Sequence, residues 1–277
     1  MTLIHKLLDL MATENTLLNV VSIGEQSIEI HQQGHYRWVY TSGHSIQSVL
    51  NLDAPAQMNL PNQDMMLVAL LLLPEWQLQG SPRVLNLGFG GGSFERFFHA
   101  KVRNIAMVSV DINAQLVELA KQYLQVPANW PVVIQPGEDF LQSHLQQTPC
   151  EPFQLIICDL FDGEYQAQCL NDPSFYANAA SNLTDDGVMT VNLAPKTDAQ
   201  LIELLGFARH SFAGVMISKV TNLGNIVMVM SKQSLPSEAV LKDRALQQEN
   251  FWQLTFVDFL AGFKRLPEKV SQSQAVK

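Results

Sequence analysis

The stretch RVLNLGFGGGSFERFFHAKVRNIAMVSVD runs from Arg83 to Asp111 and decides the fold. An apolar run, Val84 to Leu87, meets a glycine cluster at Gly88, Gly90, Gly91 and Gly92, and a helical pattern follows. A second apolar run then ends in Asp111, about 20 residues past the glycines, so the order is strand, glycine turn, helix, strand and acid. This is the layout of a nucleoside-binding βαβ unit. Glycines let the backbone turn sharply and approach a ligand closely, because no Cβ intervenes. The acid at the end of the second strand is placed to accept hydrogen bonds from a ribose. The third glycine of a dinucleotide fingerprint would fall at Ser93. The pattern therefore leans away from a dinucleotide and toward a ligand without a pyrophosphate, such as an S-adenosyl compound.

The remaining composition sets bounds on that unit. The chain has 277 residues, 47% of them hydrophobic and 16% charged, enough for one large domain and a smaller one. A net charge of −9 and a pI of about 5.2 disfavour nucleic acid or an anionic membrane as the main partner, since both need a basic surface. A cationic small substrate suits the charge. Cys150, Cys158 and Cys169 are odd in number and lack metal-binding spacing, so they read as reduced thiols, and no metal site is expected. Met1 to Leu10 carries Asp9 and no cleavage pattern, and the longest apolar run, Met65 to Leu73, is too short to span a bilayer. A soluble, cytoplasmic protein is expected.

Upstream of the glycine unit, residues 2–12 have the spacing of a short amphipathic helix, and LLNVVSI, SIEIHQ, YRWVYT and SIQSVLNL read as strands between turns. They predict a small antiparallel β module over residues 1–57. His31 and His35 flank one of its turns and read as exposed turn residues, since metal binding needs more ligands nearby. Met65 to Leu73 reads as a buried helix ended by Pro74. A nucleoside-binding catalytic domain is expected over 58–236, with strands at Val84–Leu87, Ile105–Val110, Val132–Gln135, Phe153–Cys158 and Val188–Leu193 alternating with helices. The alternation stops at Val215–Val220 and Ile226–Met230, a hairpin signal, and 237–277 should add closing helices at Ser237–Glu249 and Trp252–Phe263 and a frayed tail. Five crossover strands and a terminal hairpin predict an α/β fold of the S-adenosylmethionine-dependent methyltransferase type, with a Rossmann-like sheet, preceded by the β module.

Ligands bind beyond the carboxyl ends of strands in such sheets, near the switch in strand order. Four strand ends carry suitable groups: the glycine loop, Asp111, Glu138 with Asp139, and Asp159 with Asp162. The first three suit a nucleoside, with loop amides, a carboxylate for the ribose, and Glu138 or Asp139 for an adenine amine. Asp159 and Asp162, in ICDLFDGE, sit where the transferring group meets its acceptor. Two carboxylates three residues apart can hold a cationic amine, and one can take its proton. Asp162 with Gly163 can instead simply shape a turn.

The segments VLNLGFGGGSFERFF, VSVDINAQLVELAKQYL, GEDFL, FQLIICDLFDGE and SFYANAASNLTDDGVMTVNL resemble the spermidine synthase (polyamine aminopropyltransferase) family over roughly Arg83 to Leu193. The resemblance implies transfer of an aminopropyl group from decarboxylated S-adenosylmethionine to a small-molecule amine such as putrescine, releasing methylthioadenosine, and it implies a homodimer. By position it makes Asp159 the acceptor of the amine proton and Asp162 its partner. It makes Glu138 an adenine contact, and Phe175 and Tyr176 an aromatic pair after the active-site loop.

The chain departs from that pattern in several places. The family's loop aspartate falls on Gly91 and its ribose-binding acid on Ser109, while the linker helix reads Asn62-Gln63-Asp64-Met65-Met66 where a tyrosine and a His-Glu pair are usual. Two alternatives therefore stay open. One is a methyltransferase using S-adenosylmethionine itself, although Asn86 stands where such enzymes commonly carry an acid. The other is a nucleoside-binding protein without turnover.

Overall fold

The computed structural model describes residues 2–267 apart from 15, 24–25, 42–45, 74–79, 164 and 222, and within these omits the side chains of Ile23, Gln26 and Asp162. Helix α1 (Leu3–Thr13) opens the chain, with the Thr2 hydroxyl accepting from the His5 N–H at its N-cap. Strands β1 (Leu17–Ile23), β2 (Gln26–Gln33), β3 (Tyr36–Thr41) and β4 (Ile46–Asn51) follow as an antiparallel sheet in sequence order. Leu7, Trp38, Ile46, Val49 and Leu60 pack into its own small core.

His31 corrects the expectation of an exposed turn residue. It is only 6% exposed, lies within 2.8 Å of the Thr16 hydroxyl and 2.9 Å of the Glu29 carboxylate, and stacks on Trp38. His31 lies inside β2, as it did in the expected strand SIEIHQ, and its pairing opposite Trp38 is what buries it. His35 is exposed in the turn, as expected.

The apolar run is buried from Met66 to Leu73, but it is a short α2 (Pro61–Met66) continued by a 3-10 turn, Leu67–Leu72. An all-apolar run hides its own period, so the sequence showed burial without helix type. Pro74 lies outside the described residues.

Then come β5 (Arg83–Leu87), α3 (Ser93–Lys101), β6 (Ala106–Asp111), α4 (Ala114–Tyr123), β7 (Val132–Ile134), α5 (Gly137–His144) and β8 (Phe153–Cys158). A two-residue-strand hairpin, β9 (Phe161–Asp162) and β10 (Tyr165–Gln166), leads through a 3-10 turn, Gln168–Asn171, to α6 (Pro173–Ser181). The chain continues with β11 (Leu183–Leu193), α7 (Asp198–Ser211), β12 (Gly214–Lys219), β13 (Ile226–Ser231), α8 (Glu238–Trp252), α9 (Phe256–Ala261) and β14 (Lys264–Arg265). The tail from residue 268 lies outside the described residues.

The large sheet has the order β14-β12-β13-β11-β8-β5-β6-β7. Strands β11, β8, β5, β6 and β7 are parallel, and β13, β12 and β14 run antiparallel to their neighbours. The chain winds outward from β5 to β7 and then returns to place β8 on the other side of β5. The switch in strand order therefore lies between β5 and β8, where a ligand cleft is expected. One buried cluster covers the face toward α3, α8 and the 3-10 turn of residues 67–72, and another covers the face toward α6 and α7.

One helix boundary and one strand boundary also differ from expectation. The helix expected from Trp252 begins only at Phe256, because α8 runs on through Trp252 until Gln253 ends it with a left-handed φ of 57°. Strand β11 begins at Leu183 rather than Val188, with the Asp185-Asp186-Gly187 turn absorbed as an irregularity in its pairing with β8.

Candidate active site

The glycine loop and the end of β8 meet directly. The Asp159 N–H donates to the Leu87 carbonyl at 2.8 Å. A Cβ at Gly88, whose φ is +93°, would lie 2.2 Å from the Asp159 carbonyl oxygen. Only a residue without a side chain permits this approach, so Gly88 is what joins the nucleoside loop to the candidate base.

Asp111 is buried and holds the loop from the other side. Its Oδ2 accepts from the Gly90 N–H at 2.9 Å, and its Oδ1 accepts from the Asn113 N–H at 2.8 Å. Burial pushes its carboxyl up, while these backbone donors pull the other way. Asp111 thus pins Gly90 as well as standing at the expected ribose position. A carboxylate with two occupied lone pairs keeps others for a hydroxyl.

The Cβ direction of Gly91 points at the N-terminal sheet. A Cβ there would come 2.1 Å from the Ser48 hydroxyl on β4 and 2.9 Å from Leu124. The position where the family pattern has an aspartate is thus filled by the N-terminal sheet. Below it, the buried Arg96 guanidinium donates to the carbonyls of Gly91 at 2.6 Å, Leu124 at 3.0 Å and Pro55 at 2.9 Å. This one side chain ties the loop to both α4 and the linker. Gly92 also packs tightly, its Cβ direction meeting Val126 at 2.2 Å.

Sequence reasoning missed Glu95, on the first turn of α3. It is fully buried, and its Oε1 accepts from the Asn86 amide at 2.7 Å and the Ser109 hydroxyl at 2.6 Å. Trp130 donates to the same Ser109 oxygen at 3.1 Å. Burial holds the Glu95 carboxyl above its usual range. The two positions that looked merely depleted of acids, Asn86 and Ser109, are therefore the donors to an acid supplied from the helix. Only the tertiary contact shows this, because the three residues are separated in sequence.

Glu138 and Asp139 are both exposed on the first turn of α5. Glu138 accepts a hydrogen bond from the Cys169 thiol, which burial and this carboxylate push up to about 12. Gly137, beside it, packs against Leu160 with a Cβ approach of 3.0 Å, so the α5 N-terminus adjoins the β8 end. Asp139 makes no side-chain hydrogen bond among the described residues. Phe175 and Tyr176, expected after the active-site loop, are core residues. Both are buried edge to face, and the Tyr176 hydroxyl donates to the Leu170 carbonyl at 3.1 Å.

Asp159 is half-buried just past β8. Burial raises its carboxyl, opposed by the Asn192 amide, which donates to Oδ1 at 2.9 Å. Asn192 in turn accepts from the Asn225 amide at 3.1 Å, so the relay crosses the ends of β8, β11 and β13. Asn192 is the second residue that sequence reasoning missed, a polar group near the end of the mostly apolar stretch Val188–Leu193. Asp162 lies on β9, and its hairpin turns through Gly163 at a φ of 63°. The turn-forming reading of Asp162-Gly163 therefore describes its backbone, and its side chain is outside the description. Among the described residues no group of three or more His, Cys, Asp or Glu could hold a metal ion, and no helix is long and apolar enough to cross a membrane.

A family model described as the spermine/spermidine synthase domain matches residues 68–235. The polyamine aminopropyltransferase of Neisseria meningitidis serogroup A is 27% identical over 252 residues, covering 87% of this chain and 90% of that protein. A probable spermidine synthase from Corynebacterium glutamicum superposes with a TM-score of 0.70 at 15% identity, over 84% of this chain and 88% of that one. Human methyltransferase-like protein 13, solved in complex with SAH, superposes with a TM-score of 0.65 at 19% identity, over 78% of this chain and 98% of that one. The structural likenesses show the shared methyltransferase-like fold, and the family match covers more than half of the sequence: the chain belongs to the spermine/spermidine synthase domain family.

Proposed function

We propose that this protein is a transferase that moves the aminopropyl group of decarboxylated S-adenosylmethionine to a small amine such as putrescine. The observation that carries this reading is the approach of Gly88 to the Asp159 carbonyl, which sets a nucleoside loop against a carboxyl at the switch between β5 and β8. The aminopropyltransferase relatives support it over methyl transfer.

In this reading the amine nitrogen attacks the aminopropyl carbon bonded to the sulfonium. A C–N bond forms, the C–S bond breaks with its electrons going to sulfur, and methylthioadenosine leaves. The amine loses a proton, which Asp159 takes. Backbone amides of the Gly88–Gly92 loop, Asp111, and Glu138 or Asp139 hold the nucleoside, and Asp162 shares the acceptor ammonium. Asn192 keeps the Asp159 carboxylate facing one way. Most of the rate comes from aligning nucleophile and carbon, with proton transfer contributing about 10²–10⁴-fold. The three free cysteines fit a cytoplasmic enzyme.

Incubation with decarboxylated S-adenosylmethionine and putrescine tests this, alongside S-adenosylmethionine with the same amine. Amine-dependent methylthioadenosine is the expected product. S-adenosylhomocysteine instead would make the protein a methyltransferase, and nucleoside binding without either product would make it a non-catalytic relative.

A further inference from the structure

Beneath the glycine loop, two buried oxygens have no hydrogen-bond partner although they belong to one network. They are Asn86 Oδ1 on β5 and Glu95 Oε2 on α3. Both residues are closed off from solvent. The other halves of the same two groups are joined, with Asn86 Nδ2 donating to Glu95 Oε1 at 2.7 Å. Nδ2 also reaches the Gly88 carbonyl at 3.4 Å, so two acceptors surround it and fix which way the amide is turned.

Oε1 accepts a second bond, from the Ser109 hydroxyl at 2.6 Å, and Trp130 donates to that hydroxyl oxygen at 3.1 Å. The donors converge on Oε1 and none serves Oε2. The charged neighbour that acts on Glu95 is Arg96. Its guanidinium is taken up by the carbonyls of Gly91, Leu124 and Pro55 and by the Ser93 hydroxyl. Asp111, on the same face of β6 as Ser109, is occupied by the Gly90 and Asn113 N–H groups. His99, one turn along α3 from Glu95, meets the Trp130 ring edge to face. An ionised Glu95 would leave charge on an Oε2 that is dry and unpaired, which is costly. A protonated carboxyl has one O–H donor. On Oε2, that proton supplies the donor that Asn86 Oδ1 lacks, and a single bond satisfies both atoms. Burial acts in the same direction, holding the carboxyl above its usual range.

We propose that Glu95 is a neutral acid closed into a two-bond ring with Asn86, its Oε2–H donating to Asn86 Oδ1, and that this ring positions the glycine loop for the nucleoside. Asn86 lies two residues before Gly88, and the closed ring keeps its amide on the Gly88 carbonyl. When Glu95 loses the proton, two acceptors face each other, the amide turns away and Gly88 is released. Glu95 is a positioning residue that acts through Asn86. The ligand of the loop rests on the aminopropyltransferase reading, and the test separates the two.

The proton is read by ¹³C NMR of the full-length protein labelled at its glutamate side-chain carboxyls. The resonance that disappears in Glu95→Gln should keep the shift of a neutral acid at pH 7, where free glutamates, with a pKa of about 4.3, are ionised. The loop is read by hydrogen exchange over residues 86–93, and methylthioadenosine binding by calorimetry. Glutamine closes the same ring, its Nε2–H replacing the O–H, so Glu95→Gln should leave exchange and affinity near those of the parent. Glu95→Ala opens the ring, and should speed exchange and weaken methylthioadenosine about 2–10-fold, the worth of one hydrogen bond. Asn86→Ala should do the same, and it keeps the test decisive if Glu95→Ala folds poorly. The parent's affinity should fall once pH rises past the raised Glu95 value, and Glu95→Gln should flatten that alkaline limb. A Glu95 resonance already ionised at pH 7 overturns the assignment, as does loop exchange that neither alanine substitution alters. A neutral resonance and ring-dependent exchange without any methylthioadenosine binding uphold the ring and instead sink the nucleoside reading of the loop.

Discussion

Along the carboxyl edge of the central sheet, the β5–β6 side and the β8–β11–β13 side satisfy their polar groups differently. On the first side the groups that hold the loop are tied down, although Asn86 Oδ1 and Glu95 Oε2 stay buried without a partner. Asp111 is bound to two backbone N–H groups, Gly91 and Gly92 are packed against Ser48 and Val126, and Arg96 is spent on three carbonyls. On the second side carboxyls are left with little. Asp159 has one amide partner, and Asp64 has none among the described residues. Backbone and packing can hold a rigid nucleoside in a fixed pose. An amine that must lose a proton needs basic groups that are not already neutralised, and leaving them so costs stability.

The sharpest way to break this comparison is Asp159→Asn. If Asp159 takes the amine proton, kcat with putrescine should fall about 10²–10⁴-fold with little change in nucleoside binding. Turnover that survives nearly intact would move the base elsewhere and leave the two sides without different duties.

Gly91→Asp tests the closed side. It restores the residue that the family pattern expects, but its Cβ direction meets Ser48 and not the cleft. The variant should lose about 1–3 kcal/mol of stability, as overpacking does, read as a lower Tm. Ser48→Gly combined with it should recover much of that loss without raising activity. A gain in activity in the double variant would mean that the position can reach the substrate after all.

These contrasts also explain what the sequence could and could not reveal. Val84–Leu87, Val132–Gln135 and Phe153–Cys158 are apolar runs bounded by turn residues, so strand, turn and terminal group were readable in order, and with them the glycine loop and Asp159. The β9–β10 hairpin and β14 were not readable, because two-residue strands show no alternation. Glu95, Arg96 and Asn192 carry no local signal. Their roles depend on partners such as Ser109, Pro55 and Asp159, which only the fold brings near. His31 was misread because its turn was counted from sequence and its burial comes from pairing opposite Trp38. The departures at Asn86 and Ser109 looked like losses because an acid was sought on the same strands, and it comes from α3 instead.

On the open side, Asn192→Ala should have a smaller effect than loss of Asp159. The amide bond favours the charged form of Asp159, so its removal raises that carboxyl further above its usual range. The acidic limb of kcat/KM against pH should move to higher pH with the same acceptor, and the rate near neutrality should drop by about tenfold or less. An unmoved limb with a uniformly lower rate would make Asn192 a packing residue.

The smallest expected effect belongs to Glu95→Gln, which probes the fully buried carboxyl beneath the closed side. Its folded-state pKa lies above the unfolded value, about 4.3 for a glutamate, because burial outweighs the Asn86 and Ser109 donors. Below that value the side chain is protonated in both states and nothing is lost. As pH rises past it, the unfolded chain ionises first, so the parent loses stability until the folded-state pKa is reached. Glutamine keeps the shape and accepts the same two hydrogen bonds without this penalty. At pH 4.5 the two proteins should melt within about 1 kcal/mol of each other. By pH 8 the difference should have moved in favour of Glu95→Gln. A parent that instead gains on the variant with rising pH would show that the carboxylate is ionised and needed by Asn86 and Ser109, and the closed side would then depend on a charge as the open side does.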